Sequence, residues 1–361
     1  LKPEPGTGAE GATERSALAL AAELGHEAVH LVQDRACGLR AVIAIHDTSL
    51  GPAVGGTRMR PYPSLDEAAK DALRLARGMT YKAALAGMRC GGGKAVIVGD
   101  PGCDKTPALL EAYARAVDAL SGRFYTGCDM GISVDDLVFM RAFTRHLGHT
   151  GAEGGLDTSD LAALGVFSSI AAVARLLDRS LSGLQVAVQG LGQVGFRLAR
   201  RLHQAGARLT VADVDEARVA AAVRELRAAT VAPEAIYDLA AEVFSPNAGG
   251  SVLNADTVPR LRCLAVVGAA NDQLATPEDG DALHGRGIVY APDYVVSAGG
   301  LLSVLWERGE TDVAGVVART EAIGETLRGL LERARAEGRP PHRLADLVAQ
   351  ERLAAARRAR A

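Results

Sequence analysis

Lysine is scarce in this 361-residue chain: of forty Lys and Arg residues only five are lysine, Lys2, Lys70, Lys82, Lys94 and Lys105. A surplus of positive charge is missing too, since forty Lys and Arg face forty-three Asp and Glu for a net charge of −3. That argues against nucleic acid as a main partner. The five cysteines (Cys37, Cys90, Cys103, Cys128, Cys263) are scattered, odd in number and form no C-x-x-C. A disulfide scaffold or structural zinc is therefore not expected, and a reducing cytoplasm is. No H-E-x-x-H or other metal-ligand spacing occurs, so no metal is expected. The most apolar stretch, Leu161 to Leu177, is interrupted by Ser168, Ser169 and Arg175 and reads as a buried helix, not a membrane span. Neither end shows a charged-then-apolar secretory pattern. Residues 1–11, rich in Pro, Gly and Glu, are expected to be disordered.

With 48% hydrophobic and 23% charged residues, global disorder is excluded, and the length suits two domains. The first half alternates extended and helical patterns. Val29–Gln33 and Arg40–Ile45 read as strands. Ser64-x-x-Glu67 opens a helix whose apolar positions Leu65, Ala68, Ala72, Leu75 and Met79 recur every three or four residues. A short strand, Lys94–Val98, is expected after Gly91-Gly92-Gly93. Thr106-Pro107 and Ser133-x-x-Asp136 start further helices. After an Ala-rich helix within residues 146–180 come apolar strands at Leu184–Gln189, Arg208–Ala212, Leu264–Gly268 and Gly287–Tyr290. Helical segments between them indicate a parallel, doubly wound α/β sheet. From Ala314 the chain reads as Arg-rich helix, broken at Pro340-Pro341.

Gly190-Leu191-Gly192-Gln193-Val194-Gly195 lies between a predicted strand and a predicted helix (Val194–Ala205). The first glycine permits a tight turn, the second a close approach of backbone to pyrophosphate, and the third close helix–strand packing. The helix start favours the anion. Asp213, at the end of the next strand, is placed to bind ribose hydroxyls, which favours NAD over NADP; nearby Arg218 weakens that preference.

Lys82 falls on the apolar stripe of the Ser64 helix, with Asp71 projecting toward the same face. A lysine there either snorkels outward or meets an anion. Arg cannot release its proton near neutral pH, so lysines kept in an Arg-rich chain mark sites where a titratable amine is useful. Lys94 follows three glycines that allow close backbone approach to a ligand. The segment is not a Walker A loop, because Ala95 stands where Ser or Thr would bind Mg²⁺. The alternatives remain open: a Gly-rich hairpin with a surface Lys94, and Asp129 merely solvated beside a helix N-terminus.

Several strings taken in order resemble the leucine/phenylalanine/valine dehydrogenase family, distantly related to glutamate dehydrogenase. They are Ile43-Ala44-Ile45-His46-Asp47, Gly55-Gly56-Thr57-Arg58-Met59, Arg77-Gly78-Met79-Thr80-Tyr81-Lys82, Gly91-Gly92-Gly93-Lys94, Gly287–Tyr294 and Ala298-Gly299-Gly300. The resemblance implies NAD-dependent oxidative deamination of an amino acid to the 2-oxo acid and ammonia, and the reverse. It implies that Lys82 binds the substrate α-carboxylate, with Gly55, Gly56, Met79 and Asn271 beside it. Lys94 would be the general acid/base activating water, and Asp129 would handle protons of the amino group. Two nearby ammonium groups disfavour each other's charge, so the one less compensated by an anion is pushed down in pKa. The family's side-chain pocket aligns with Leu50, Gly127, Leu301 and Val304, which favour a nonpolar substrate. Ala270 and Asn271 would join Gly190, Gly192, Gln193, Val194, Gly195 and Asp213 around the dinucleotide. The implied architecture is a substrate-binding and oligomerisation domain (residues 12–145 and 326–361) and a Rossmann-type domain (146–325), the C-terminal helices returning to the first. Arg352, Arg357, Arg358 and Arg360 would then decorate a solvated face. A homo-oligomer, dimer or larger, is implied.

Some positions depart from the family pattern. Ala162 and Ser297 replace Thr and Asn, Cys128 replaces a Glu, Asn271-Asp272 replaces Asn-Asn, and Leu305-Trp306 stand where small and acidic residues are usual. Two other readings therefore stay open: a related dehydrogenase or imine reductase on a non-standard amino acid, and a catalytically weak regulatory paralogue that binds nucleotide.

Overall fold

The computed structural model describes residues 16–148 and 156–360, so the disorder expected for residues 1–11 lies outside the described residues. One sheet contains β1 (Ala28–Asp34), β2 (Leu39–Asp47), β3 (Ala53–Arg60), β4 (Gly91–Val98) and β5 (Phe124–Gly127), in the order β1-β2-β4-β3-β5. β2 is antiparallel to β1 and β4, whereas β3 is parallel to β4 and β5. Helices α1 (Ala17–Leu24) and α2 (Leu65–Leu85) cover one face; α3 (Pro107–Asp118) and α4 (Val134–Met140) cover the other. The period-2 alternation of a strand explains this: Ala41, Ile43 and Ile45 face α3, while Val42 and Ala44 face α2. The Ser64 side chain caps α2 by accepting the Glu67 N–H at 3.1 Å, with Asp66 and Glu67 in the favoured first turn. The helix then runs far enough to carry Lys82 in its last turn.

After α5 (Thr158–Leu176), the second sheet is built as β6 (Gln185–Gln189), α6 (Gln193–Gln204), β7 (Arg208–Ala212), α7 (Glu216–Leu226), β8 (Ala229–Thr230), β9 (Val243–Pro246), β10 (Ala265–Val266), α8 (Pro277–Gly285) and β11 (Val289–Tyr290). All its pairings are parallel, in the order β11-β10-β9-β6-β7-β8. The order reverses between β6 and β9, the kind of switch point at which open parallel sheets bind ligands. Among the described residues α5 is the helix long and apolar enough to span a membrane, yet 56% of its apolar window is buried inside the protein. It packs on α6 and on α10 (Gly299–Glu307) and α12 (Ile323–Glu337), which belong to the closing series α9 (Asp293–Val296), α10, α11 (Val313–Glu321), α12 and α13 (Pro341–Arg360).

Two sequence expectations need correction, and one strand was not foreseen. The Gly91–Gly93 triplet is part of β4, not a turn before it. Segment Ala53–Arg60 is a strand, although glycines and arginines hid its alternation. The terminal arginines do not merely decorate a solvated face. Arg352 Nη1 donates to the Ala84 and Leu85 carbonyls at the end of α2 (2.6 and 3.0 Å). Arg357 pairs with Asp47 and its Nε donates to Ser49 Oγ at 3.1 Å, and Arg360 reaches the Thr48 carbonyl. Asp47 is almost fully buried, and an isolated buried carboxylate is costly, so a cation is drawn to it from more than three hundred residues away.

Burial works to raise the Asp47 pKa, but hydrogen bonds from Ser49 and the Arg357 contact outweigh it and hold the carboxyl below its ordinary value. A depressed pKa contributes stability above the unfolded value and loses it as pH falls through the folded one. Arg357→Ala should lower stability by about 1–3 kcal/mol at neutral pH in urea unfolding. The gap between variant and wild type should narrow once Asp47 is protonated.

Candidate active site

Lys94 sits on β4 and is buried, opposite Ala44 of β2. The glycines around it make room for protein backbone. A Cβ on Gly92 would overlap the Thr80 backbone nitrogen of α2, and one on Gly93 would lie 2.7 Å from the Phe124 ring. On β3, a Cβ on Gly55 would overlap the Gly93 carbonyl, and one on Gly56 the Cys128 carbonyl, 3.0 Å from Asp129 Cβ. Glycine at all four positions lets β3, β4 and the chain after β5 close together. Hydrogen bonds among Thr57, Tyr113 and Thr126 tie these elements from the other side.

The result is direct contact between Lys94 Nζ and Asp129 Oδ2, which removes the reading of Lys94 as a surface residue. Asp129 Oδ1 accepts the Met130 N–H at 2.6 Å, and Arg58 Nε lies 3.6 Å from Oδ2. Burial acts to raise the Asp129 pKa; Lys94 first and Arg58 second overcome it and hold the carboxyl below its usual range. A carboxylate kept charged beside a buried amine is suited to moving protons.

Lys82 bridges the two halves of the molecule, its Nζ donating to Asn271 Oδ1 at 3.3 Å. Desolvation pushes its ammonium pKa down; Asp293 pulls it up and the charge of Lys94 pushes it down further. The two lysines are therefore close enough for their charges to interact, and the one without a carboxylate in contact is Lys82, so the downward push expected for the less compensated amine falls there. Beyond Asn271, Asp272 adopts a φ of 51° and donates its N–H to Asp293 Oδ2 at 2.8 Å. Asp293 Oδ1 accepts the Tyr290 hydroxyl at 3.0 Å. Burial, reinforced by the Asp272 charge, pushes the Asp293 carboxyl up to about 6.

At the switch point, Gly190 has a φ of 87°, and a Cβ there would sit 2.8 Å from Ala248 Cβ. A Cβ on Gly195 would overlap the Gly190 carbonyl, so α6 packs tightly on its strand. Gly192 instead faces space, with only Arg218 within 4.0 Å, and starts α6 without a side-chain acceptor for its first N–H groups. Gln193 and Val194 form the first turn of that helix. A cleft of about 530 Å³ opens beside Leu191–Gln193, bordered by Arg197, Arg200 and Arg218. These features fit a pyrophosphate. Asp213 lies under the turn, accepting the Leu191 and Asp215 N–H groups at 2.5 and 2.8 Å, with spare lone pairs for hydroxyl donors. The Ala270 N–H donates to the Pro246 carbonyl, so Ala270 and Asn271 follow β10 at the same edge of the sheet.

The expected side-chain pocket is only partly gathered. Leu301 and Val304 share an apolar cluster with Val54 and Tyr125, whereas Leu50 packs against a different one that contains Tyr81. A Cβ on Gly127 would meet only the Gly148 carbonyl, at 3.7 Å. Met79 is half-buried one turn before Lys82.

Residues 26–146 match the Glu/Leu/Phe/Val dehydrogenase dimerisation domain. The chain is 42% identical over 339 residues to leucine dehydrogenase of Geobacillus stearothermophilus, covering 93% of this chain and 92% of that protein. It is 44% identical over 335 residues to phenylalanine dehydrogenase of Thermoactinomyces intermedius, covering 91% and 92%. A crystal structure of L-tryptophan dehydrogenase from Nostoc punctiforme superposes with a TM-score of 0.80 at 40% identity, covering 93% of this chain and 98% of that one. The chain belongs to the Glu/Leu/Phe/Val dehydrogenase family.

As a member of this amino-acid dehydrogenase family it is an oxidoreductase, and it shares the family's need for a nicotinamide coenzyme. Its departures from the family pattern have visible local consequences. Burial, then Asp136 and Asp129, push the Cys128 thiol up to about 11, so the position contributes no charge at neutral pH. Ser297 Oγ is buried without a hydrogen-bond partner. Arg58, Tyr62 and Asp293 were not singled out from sequence as site residues, and Asp71 was noted only for sharing the helix face of Lys82. For Arg58 the signal was the alternation of Gly56 and Arg58 on one face of β3, visible only once that segment is read as a strand.

A raised carboxyl pKa costs stability as pH climbs from the unfolded value of 3.8 through about 6. Asp293→Asn should therefore gain on the wild type by roughly 1–3 kcal/mol between pH 4 and pH 7 in chemical unfolding. A pH-independent difference would contradict the burial of a titrating carboxyl there.

Proposed function

We propose that this amino-acid dehydrogenase converts a nonpolar L-amino acid, aliphatic or aromatic, with NAD and water into the 2-oxo acid, ammonia and the reduced coenzyme, and runs the reverse amination. The observation that carries the reading is the contact of buried Lys94 with Asp129, beside Lys82, which reaches across to Asn271 of the second half of the molecule. Residues 12–145 and 326–361 would form the substrate and oligomerisation part, and residues 146–325 the dinucleotide part. The description of the matched region as a dimerisation domain supports a homo-oligomer, dimer or larger. Scattered free cysteines support a cytoplasmic setting.

In this reading Lys82 anchors the α-carboxylate, and Gly55 and Gly56, packed against the Gly93 and Cys128 carbonyls, bring the backbone of β3 beside it. Gly190, Gly192 and Gly195 would hold the coenzyme, which would supply the acceptor for the Cα hydride. Asp129 takes a proton from the substrate ammonium group, so the amine nitrogen can form the imine as hydride leaves. Lys94 removes a proton from water as the oxygen attacks the imine carbon, and the nitrogen leaves as ammonia. Asp213 favours NAD, because a 2′-phosphate beside a carboxylate is repelled. Leu50, Leu301 and Val304 offer no partner to a charged side chain.

The test is formation of reduced coenzyme at alkaline pH across nonpolar, polar and acidic L-amino acids, with NAD and with NADP. Turnover should concentrate on nonpolar substrates with NAD. Lys94→Ala should lower kcat by at least about 10²-fold while NAD affinity by calorimetry stays within about twofold. Tight NAD binding without turnover on any amino acid would favour the regulatory reading instead.

A further inference from the structure

We infer that Arg58 is a positioning residue for the Lys94–Asp129 pair, a second cation that holds the carboxylate when Lys94 turns to the reacting molecule. The inference rests on the proposed deamination chemistry and adds a role that the motif alone does not supply.

The geometry is specific. Asp129 Oδ1 is committed to the Met130 N–H, leaving Oδ2 as the oxygen that Lys94 contacts. Arg58 Nε lies 3.6 Å from that same oxygen, is buried, and has no hydrogen-bond partner. The guanidinium is fixed from behind: Nη1 donates to Asp71 Oδ2 at 3.0 Å, and the Tyr62 hydroxyl donates to the same oxygen at 2.5 Å. An N–H buried without an acceptor is costly, and a small turn of the Asp129 carboxylate toward Arg58 would satisfy it. That turn is available only when Lys94 releases Oδ2. The pair thus has two arrangements, Asp129 on Lys94 or on Arg58, and the carboxylate stays ionised in both. Without Arg58, a neutral Lys94 would leave a partly buried carboxylate with no cation in contact, which favours its protonation.

The charged and titratable groups facing this centre are Lys94 from β4, Arg58 from β3, Asp71 and Lys82 from α2, Tyr62 before α2, and Asp136 and Cys128 around α4. Asp272 faces Lys82, Arg58 and Lys94 from the second sheet, and Asp293 faces Lys82. Among them Arg58 is the arginine that contacts the catalytic carboxylate, so its removal has a defined sign. With one cation fewer, the pair keeps its protons to higher pH.

The test compares wild type with Arg58→Gln, Arg58→Lys and Asp71→Asn. In Arg58→Gln the acid limb of the kcat/KM profile should move up by about one pH unit. Its kcat should fall by roughly 10–100-fold, with NAD affinity unchanged by calorimetry. Arg58→Lys should restore most of the limb position, and Asp71→Asn should move it less than Arg58→Gln. Carbon-13 NMR of the Asp129 carboxyl should show the same upward shift without any substrate. A kcat loss with both limb and carboxyl titration unmoved would overturn the positioning role, as would an unaltered Arg58→Gln enzyme. An Asp129 shift in a protein whose wild type turns over no amino acid would overturn the deamination reading and leave the role of Arg58 standing. Should Arg58→Gln fail to fold, Arg58→Met, which also removes the cation, carries the comparison: an Asp129 titration unmoved in it overturns the role.

Discussion

A buried amine touching a partly buried carboxylate is the constraint around which the first sheet is arranged. Taking two charges out of water is expensive, and their attraction compensates only when geometry is good and remaining hydrogen bonds are met. Here those conditions explain otherwise unrelated sequence features. Glycines on β3 and β4 bring three chain segments within reach, the Met130 N–H occupies one carboxylate oxygen, and Arg58 stands behind the other. An arrangement that costs this much desolvation is weak support for a purely stabilising role and better support for chemistry.

In the proposed reaction the pair must also meet a ligand held by the other sheet. Helix α2 spans that gap: its middle packs on β4 and β2, while Tyr81, Ala84 and Leu85 join the core shared with α5, α6 and α13. Lys82 therefore sits where the first sheet's helix enters the second sheet's core. Helix α13 closes the loop, capping the end of α2 through Arg352 and gripping the Asp47–Ser49 turn through Arg357. Leu50, an expected pocket residue, follows that turn directly. The C-terminal helix thus braces the end of α2 that carries Lys82 and the turn that leads into Leu50.

Much of this was legible in the sequence because it is local. The glycine turn at Gly190–Gly195, the caps at Ser64, Thr106 and Ser133, and the apolar strands of the parallel sheet are set by neighbours a few residues away. What was hidden depends on distant partners. β3 reads poorly as a strand because Gly55, Gly56, Arg58 and Arg60 lack strand propensity, and its identity comes from pairing with β4 and β5. The Gly91–Gly93 triplet looks like a turn until the helix and strands that crowd it are known. The terminal arginines look solvated because Asp47, their anion, is more than three hundred residues away. The split of the pocket residues between two apolar clusters is likewise a tertiary outcome that no periodicity encodes.

The most direct measurement is a crystal structure with the reduced coenzyme and a nonpolar 2-oxo acid such as 4-methyl-2-oxopentanoate. The account predicts the ligand carboxylate on Lys82 Nζ and its C2 carbonyl oxygen within hydrogen-bond reach of Lys94 Nζ, with Asp129 beside the same carbon. A ligand seated with its carboxylate on another cation, or with C2 remote from Lys94 and Asp129, would contradict it.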